Sequence, residues 1–476
     1  MDFDVVAALF ESLEKRSKRL EKILLLRDFL LENKEEAPLI FDFIVGNFQR
    51  EHDKKLLGIS LKTLFDVLSF IGKTEEKVIE KIFNKNGDIG TTFVDVISKS
   101  NKQGSLFISK KLKFQDILLT FKKISEISGT NKNKVKKELL VNLFMLAKKK
   151  EEYKFLARLL IDDLRIGVSE GVLKEAVVNS YFPNILGINL MCECGYINLN
   201  LEKCFKCSKS LDIKNNSEII SKKYKLIQVG TPKGEIGLET FIGKKEKEEI
   251  IKFTLRLKRD THVIETENPR IIYNTFLELY EMKYNCINSF EKTVKELNKD
   301  LTHVIETKIE IGTPIRSMLG TRTNTIDTSF EVTGKPSLID FKYDGLRVQI
   351  HNNKGELKLF SRNLDEITKQ FPEVVEFVKE NFSDLTFVID AECVGFDFEK
   401  MQFLPFQTLS RRIMSKNIDD VSHIKVVVKA FDIMYLNGKT LINEPYSKRR
   451  ELLDKLFVNR ELIQKTEIDL NKIKLS

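Results

Sequence analysis

Lys342 opens the segment Lys342-Tyr343-Asp344-Gly345-Leu346-Arg347, which sets an amine, a tight glycine turn and a fixed cation close together. A lysine amine attacks a phosphate ester only when deprotonated, a state that neighbouring cations such as Arg347 or a bound metal ion favour. Taken alone, the segment could equally be a hairpin turn. Three further segments follow it: Arg362 in Phe360-Ser361-Arg362-Asn363, Glu392 in Asp390-Ala391-Glu392, and Phe431 at the head of Phe431-Asp432-Ile433-Met434-Tyr435-Leu436-Asn437-Gly438. The basic run Lys448-Arg449-Arg450 comes after them. A guanidinium grips phosphate with two hydrogen bonds, a carboxylate attracts a divalent ion, and an aromatic face supports a base. Separately, Arg362 fits a surface strand and Phe431 a core ring. Together, downstream of Lys342, they describe a nucleotide site.

A second cluster has different chemistry. Cys192-Glu193-Cys194 and Cys204-Phe205-Lys206-Cys207 present two pairs of thiols across a short loop containing Gly195. Four thiolates match a tetrahedral Zn²⁺ site, which would organise a segment too small for its own core. The first pair has the less usual C-x-C spacing, and separate or redox-active thiols are the alternative. Cys286 and Cys393 stand alone and read as buried hydrophobes.

The elements that must position these residues fall into distinct textures. From Phe3 to about Val178, apolar residues recur every three or four positions, as in Leu9, Leu13, Leu20, Ile23, Leu24 and Phe29, which predicts helices. Breaks at Asn86-Gly87-Asp88-Ile89-Gly90 and Ser128-Gly129-Thr130-Asn131 separate them; the helix starts that follow could receive phosphates, although loop termination is the commoner role. After Ser337 the pattern becomes short strands, for example Leu346 to Ile350, Leu357 to Phe360 and Phe387 to Ile389, with a turn at Asn352-Asn353-Lys354-Gly355. Between these regions, roughly Phe182 to Arg270 reads as an insertion containing the cysteines and a glycine-punctuated stretch from Gly230 to Gly243. Thr261-His262-Val263-Ile264-Glu265-Thr266 returns as Thr302-His303-Val304-Ile305-Glu306-Thr307, and Gly230-Thr231-Pro232 anticipates Gly312-Thr313-Pro314; this is a partial duplication rather than a repeat fold.

With 476 residues, 42% hydrophobic and 31% charged, the chain reads as several globular domains and not as a disordered or low-complexity protein. A net charge of +9 is modest for this length, but Lys132 to Lys137 and Lys148 to Lys150 concentrate basic residues where a phosphate backbone or plain solvent could meet them. There is neither a long apolar span nor a basic, apolar leader, so an intracellular location is expected and no membrane partner.

Lys342 to Arg347, Arg362, Glu392 and Phe431, in this order, resemble the nucleotidyltransferase motifs of ATP-dependent DNA ligases of the archaeal and eukaryotic type, which begin K-x-D-G-x-R. RNA ligases and messenger-capping guanylyltransferases share this lysine chemistry, and RNA ligation is the weaker enzymatic alternative. The N-terminal region favours DNA. Ser17-Lys18-Arg19-Leu20-Glu21-Lys22, Leu57-Gly58-Ile59, Gly87-Asp88-Ile89-Gly90 and Leu164-Arg165-Ile166-Gly167-Val168 are similar to the helical DNA-binding domain of those ligases. The similarity resumes at Lys283-Tyr284-Asn285 and runs through Gly312-Thr313-Pro314-Ile315-Arg316.

The resemblance implies a multidomain protein: an all-α DNA-binding domain over 1–181 and 272–312, interrupted by a zinc-binding insertion over 182–271, then the first part of an α/β (α+β) adenylation domain over 313–476. It implies that Lys342 forms lysyl-AMP from ATP with Mg²⁺, that Arg347 and Arg362 face the nucleotide and the 5′ phosphate, and that Glu392 holds the ribose or assists the metal. Phe431 would stack on adenine, and Asp340 stands where the family usually has a glutamate reading the adenine amino group. Arg165 and Gly167 are the candidates for duplex contact, with a helix C-cap the alternative for Gly167. The expected substrate is nicked duplex DNA in replication, repair and recombination, in the cytoplasm if the source is archaeal. A sliding clamp is a further partner the family allows, unmarked by any sequence feature.

Two motifs of the family, Glu-Gly-x-x-x-Lys and Lys-x-Lys, and the OB-fold domain after them, are expected beyond Arg449 to Leu475 and are not found before Ser476. The expectations are therefore a truncated or split ligase, completed by a separate C-terminal chain, or a non-catalytic DNA-binding protein. A catalytic sheet interrupted there would leave apolar edges for a partner to cover.

Overall fold

The computed structural model describes residues 1–46, 59–100, 110–127, 131–229, 245–318, 320–415, 420, 423–457 and 463–465. Leu57-Gly58, Ser128-Gly129-Thr130 and Gly230 to Gly243 lie outside the described residues. The chain divides into two compact units, Met1–Glu281 with Ser289–Val304, and Met282–Asn288 with Ile305–Ser476. No described helix is long and apolar enough to cross a membrane.

The first unit realises the helical periodicity. It begins with α1 (Phe3–Glu14), α2 (Arg19–Glu32), α3 (Ala37–Ile44), α4 (Leu61–Gly72), α5 (Glu76–Asn86) and α6 (Ile89–Lys99). Then come α7 (Phe114–Glu126), α8 (Lys132–Leu146), α9 (Lys150–Leu160) and α10 (Glu170–Tyr181). In α1, Phe3, Val6, Ala7, Phe10 and Leu13 are buried along one face, as a period of 3.6 requires. Starts are fixed by side chains that accept orphan amide protons: Ser60 caps α4 through Thr63, and Asp88 caps α6 through Gly90 and Thr91. Gly90 is needed for packing, because a Cβ there would lie 2.7 Å from the Lys154 carbonyl of α9. Lys132, Lys134 and Lys148 to Lys150 are exposed; Lys149 pairs with Asp4 at 2.7 Å, so that run is a solvated, partly neutralised surface.

After α10 the segment read as an insertion builds small elements. The strands are β1 (Asn184–Ile185), β2 (Asn189–Met191) and β3 (Ile197–Leu199), followed by α11 (Asn216–Ser221), β4 (Lys225–Gln228), α12 (Lys245–Leu255) and β5 (His262–Glu265). β2 and β3 form an antiparallel pair, and β5 lies parallel between β1 and β4. Helix α13 (Pro269–Ile287) follows, and the division between units falls within it. Helix α14 (Phe290–Lys299) returns to the first unit, where buried Asp42 of α3 accepts protons from Ser289 Oγ and from the Phe290 and Glu291 amides. The duplicated hexapeptide takes two conformations: His262–Glu265 is strand β5, whereas Leu301–Val304 is a 3₁₀ turn. Neighbouring strands supply ladder partners to the first copy only, and context decides.

The second unit contains α15 (Ile326–Thr333), β6 (Leu346–Asn353), β7 (Glu356–Ser361), α16 (Pro372–Phe382), β8 (Thr386–Asp397) and β9 (Gln402–Phe403). It continues with α17 (Phe406–Met414), β10 (Val426–Leu436), β11 (Lys439–Thr440), α18 (Tyr446–Leu456) and β12 (Ile463–Lys465). The main sheet has the order β11-β10-β8-β6-β7, with β12 also pairing β10 and β9 pairing β8. Val348, Ile350, Phe387, Ile389, Ala391, Val428 and Ala430 alternate onto one face, where they meet Val374, Val378 and Phe382 of α16. The turns Asn352-Gly355 and Asn437-Gly438 close hairpins through left-handed residues, Lys354 with Gly355 and Asn437 with Gly438. Residues 338–343, ahead of the glycine turn at Gly345, run without regular secondary structure after α15.

Asp88 is a buried carboxylate of the helical unit. Burial alone would raise its pKa, but Arg158 and the Thr91 amide more than offset this and hold it at about 2. A carboxylate depressed from 3.8 contributes stability that is complete above pH 4 and lost as pH falls toward 2. Thermal melts of Asp88→Asn across that window should lose roughly 2 kcal/mol at neutral pH and show a flatter acid limb than wild type. Identical acid limbs would refute this assignment.

Candidate active site

In the second unit, strand register builds a polar layer on the face opposite the core. Arg347 of β6 stands opposite Glu392 of β8, and Glu392 stands opposite Lys429 of β10. The next layer is Gln349, Asp390 and Asp432. Between the layers, β10 shifts register between Ala430 and Asp432, leaving Phe431 as the extra residue of a bulge. The ring of Phe431 lies 5.4 Å from the Arg347 guanidinium carbon. Asp390, 5% exposed at its side chain, takes the Arg347 guanidinium at 2.6 Å through Nη2 and 3.1 Å through Nε. A buried bidentate pair of this kind fixes the arginine fork.

Lys342 is exposed and lies in the loop just ahead of β6. Gly345 ties that loop down: a Cβ there would fall 2.4 Å from the Cys393 carbonyl and 3.0 Å from Glu392 Cγ. Only glycine allows so close an approach. The Glu392 carboxyl is raised by burial, while the Gly345 amide, Lys342 and Arg347 act in the opposite direction. The lysine charge is thus felt at Glu392, and Asp344 accepts a proton from the Phe406 amide at 3.3 Å. Arg362 is exposed and follows β7 directly after the pair Val348–Ser361, so it leaves the sheet beside the Arg347 end of β6. Asp340 is ion-paired with Arg450 Nη1 at 3.2 Å.

Three residues had no sequence assignment. Asp390 orients Arg347, whereas the sequence marks that segment only through Glu392. Lys429 is 5% exposed, with its ammonium 5.6 Å from the Tyr343 ring and 5.9 Å from that of Phe403. Arg449 grips Asp432 at 2.8 Å, beneath the Phe431 bulge. Alternation along β8 could have revealed Asp390; nothing local to Lys429 could have. The segments Lys283-Tyr284-Asn285 and Gly312 to Arg316 also meet here: the Arg316 amide donates to the Asn285 carbonyl at 3.0 Å, and its guanidinium covers the Tyr284 ring at 5.4 Å.

In the first unit, three of the N-terminal segments converge. Lys22 of α2 donates to the carbonyls of Ile166 and Gly167 at 2.7 and 2.8 Å. Arg165 Nε donates to Asp163 at 2.7 Å and Nη1 to the Gly87 carbonyl at 2.9 Å. Arg158 joins Asp88 at 2.9 Å and the Leu164 carbonyl at 3.2 Å. Part of the Arg165 fork therefore closes the loop on itself. Gly167 is no helix cap, since α9 ends at Leu160; it sits at φ +61° in the loop, where a Cβ would lie 2.6 Å from Lys22 Nζ.

The four cysteines of the knuckle gather with every Sγ within 4.8 Å of the others, at 3.5 Å for Cys192–Cys207 and 3.7 Å for Cys194–Cys204. Tetrahedral thiolates at 2.3 Å from Zn²⁺ stand about 3.8 Å apart, so this donor set fits the ion.

Comparison with known proteins matches two segments of the chain. Residues 317–474 match the family model described as ATP dependent DNA ligase domain, and residues 2–177 match that described as DNA ligase N terminus. A DNA ligase of Nanoarchaeum equitans is 26% identical over 464 residues, covering 97% of this chain and 65% of the relative. DNA ligases of Methanococcus maripaludis and Methanocaldococcus jannaschii are 29% and 27% identical, covering 96% and 95% of this chain. The chain spans 64% and 63% of the length of those two relatives.

Gly345→Ala should break the approach of the Lys342 loop to β8 and cost about 1–3 kcal/mol of the second unit's stability. Chemical denaturation followed by circular dichroism checks this, and an unchanged midpoint would mean that the close contact is not maintained.

Proposed function

We propose a nick-sealing function for this chain, which belongs to the ATP-dependent DNA ligase family. The observation that carries the proposal is the shared sheet face: Arg347 and Glu392 in register, with the Lys342 loop pinned beside them by Gly345. Lys342 Nζ attacks the α-phosphorus of ATP; a P–N bond forms, the bond to pyrophosphate breaks, and the amine proton goes to solvent. Arg347, already oriented by Asp390, and Arg362 face the phosphates, where fixed charge stabilises the transferring group without reorganisation. Phe431 offers its ring to adenine, and Asp340, held by Arg450, would read its amino group. Mg²⁺ would neutralise phosphate charge, and Glu392, a partly buried carboxylate, suits a hard, oxygen-seeking ion.

The 5′ phosphate of a nick then takes AMP from Lys342, and the adjacent 3′ hydroxyl displaces AMP to close the strand. The loop around Arg165 and Gly167 meets the duplex, and the cysteine knuckle holds one structural Zn²⁺. We place the activity inside the cell, in replication, repair and recombination. Nicked duplex DNA and a sliding clamp are the partners proposed.

The test is incubation with α-labelled ATP and Mg²⁺, then a denaturing gel, with Lys342→Ala as control. Label retained by wild type and absent from Lys342→Ala is the expected result. Label that appears only on adding the candidate C-terminal chain supports a split enzyme. No label under either condition overturns the catalytic reading in favour of a DNA-binding protein. For the knuckle, Co²⁺ should give thiolate charge-transfer bands that Cys204→Ser with Cys207→Ser removes; absent bands would overturn the metal reading.

A further inference from the structure

The knuckle docks on α2, the helix whose Lys22 holds the 164–167 loop. Each cysteine turn contributes one ring, that of Tyr196 over α2 and that of Phe205 over the turn just before it. Tyr196 follows Cys194-Gly195, and its ring lies 4.9 Å from the Arg27 guanidinium carbon; Phe205 lies between Cys204 and Cys207, 5.3 Å from that of Arg16. The two rings stack at 6.2 Å. Arg27 is 3% exposed and donates to the Ile197 carbonyl of β3 at 2.7 Å and to Asp28 at 2.8 Å. Tyr196 donates its hydroxyl to the other Asp28 oxygen at 2.6 Å. The thiol cluster is joined to this contact through Asn198, which donates to Cys204 Sγ at 3.6 Å and accepts from the Phe205 amide at 2.8 Å.

We propose that the cysteine knuckle is a metal-dependent brace that fixes α2 and, through Lys22, the 164–167 loop, so that metal loading sets the affinity of the helical unit for duplex DNA. The proposal rests on the metal and duplex readings above. A set of thiols without an ion has no covalent or coordinate link between its two turns, so Tyr196 and Phe205 would lose their fixed spacing and Arg27 would lose a desolvated partner arrangement. Along α2, Lys22 and Arg27 are about 7.5 Å apart at 1.5 Å per residue, less than two turns. Loosening at one end is therefore felt at the other through a rigid element rather than by long-range transmission.

The full chain is prepared loaded, stripped by chelator and reloaded with Zn²⁺, alongside a Tyr196→Ala/Phe205→Ala variant. Amide hydrogen exchange over residues 160–170 is the first readout. Binding of a labelled nicked duplex is the second, and Co²⁺ bands report metal occupancy. Stripping should speed exchange in the loop and weaken duplex binding by about tenfold, both reversed by Zn²⁺. The double variant should keep its Co²⁺ bands and yet show the fast loop exchange. Unchanged loop exchange on stripping, or a metal-loaded double variant with wild-type loop exchange, overturns the brace. Absent Co²⁺ bands overturn the metal reading and the brace with it. Faster loop exchange without any duplex binding overturns the claim about affinity and identifies the duplex reading as the part that failed.

Discussion

The candidate active site depends on one backbone approach, that of Gly345 to the Cys393 carbonyl. β6 and β8 can run this close at their shared end only because position 345 has no side chain, and the register that follows puts Arg347 against Glu392 and Glu392 against Lys429. Everything polar on that face follows from the register. Alternation sends Val348, Ile350, Ile389 and Ala391 to the core and leaves the intervening residues to chemistry. A slip of one residue would bury the charges and expose the core. The site is therefore specified by the hydrophobic side of the sheet as much as by its own residues.

In the helical unit the organising device is different: cations that end on backbone carbonyls. Lys22, Arg158 and Arg165 reach the Ile166, Leu164 and Gly87 carbonyls respectively, from three separate segments. Lys22 and Arg158 bury charges that hydrogen bonds must compensate, Arg158 with Asp88 and Glu14 as counterions, whereas Arg165 stays exposed. Such contacts help determine the geometry of the loop, alongside the burial of Ile166. Gly167 suits this loop because its φ of +61° favours glycine, and a Cβ there would also make the Lys22 ammonium shift from the carbonyls it holds.

Much of this was legible in the sequence. Helical periodicity up to Val178, the strands beginning at Leu346, Leu357 and Phe387, and the two asparagine turns follow from spacing and turn chemistry. The grouping of the four cysteines was legible because their spacing leaves few other ways to satisfy them. Less was legible where the outcome depends on long-range partners. The same six residues from Thr261 and from Thr302 become a strand and a 3₁₀ turn, because only one copy finds neighbours for its ladder. The segment before Lys342 has strand-like residues in Leu338, Ile339 and Phe341 but no pairing strand, and it stays irregular. Lys429 reads as one more polar position in a strand; only the register shows it flanked by Tyr343 and Phe403. Likewise the docking of Tyr196 on Arg27 of α2 and of Phe205 on Arg16 of the turn before it joins residues with no sequence signal to link them.

The most direct measurement of the central claim is peptide mapping by mass spectrometry after incubation with ATP and Mg²⁺, for wild type and Gly345→Ala, with folding of the variant followed by circular dichroism. The expected result is an AMP adduct on Lys342 of the wild type that is lost in Gly345→Ala while its helical unit remains folded. An adduct on another lysine, or full adduct on Lys342 in a folded Gly345→Ala chain, would contradict the claim that this backbone approach delivers the lysine to the site.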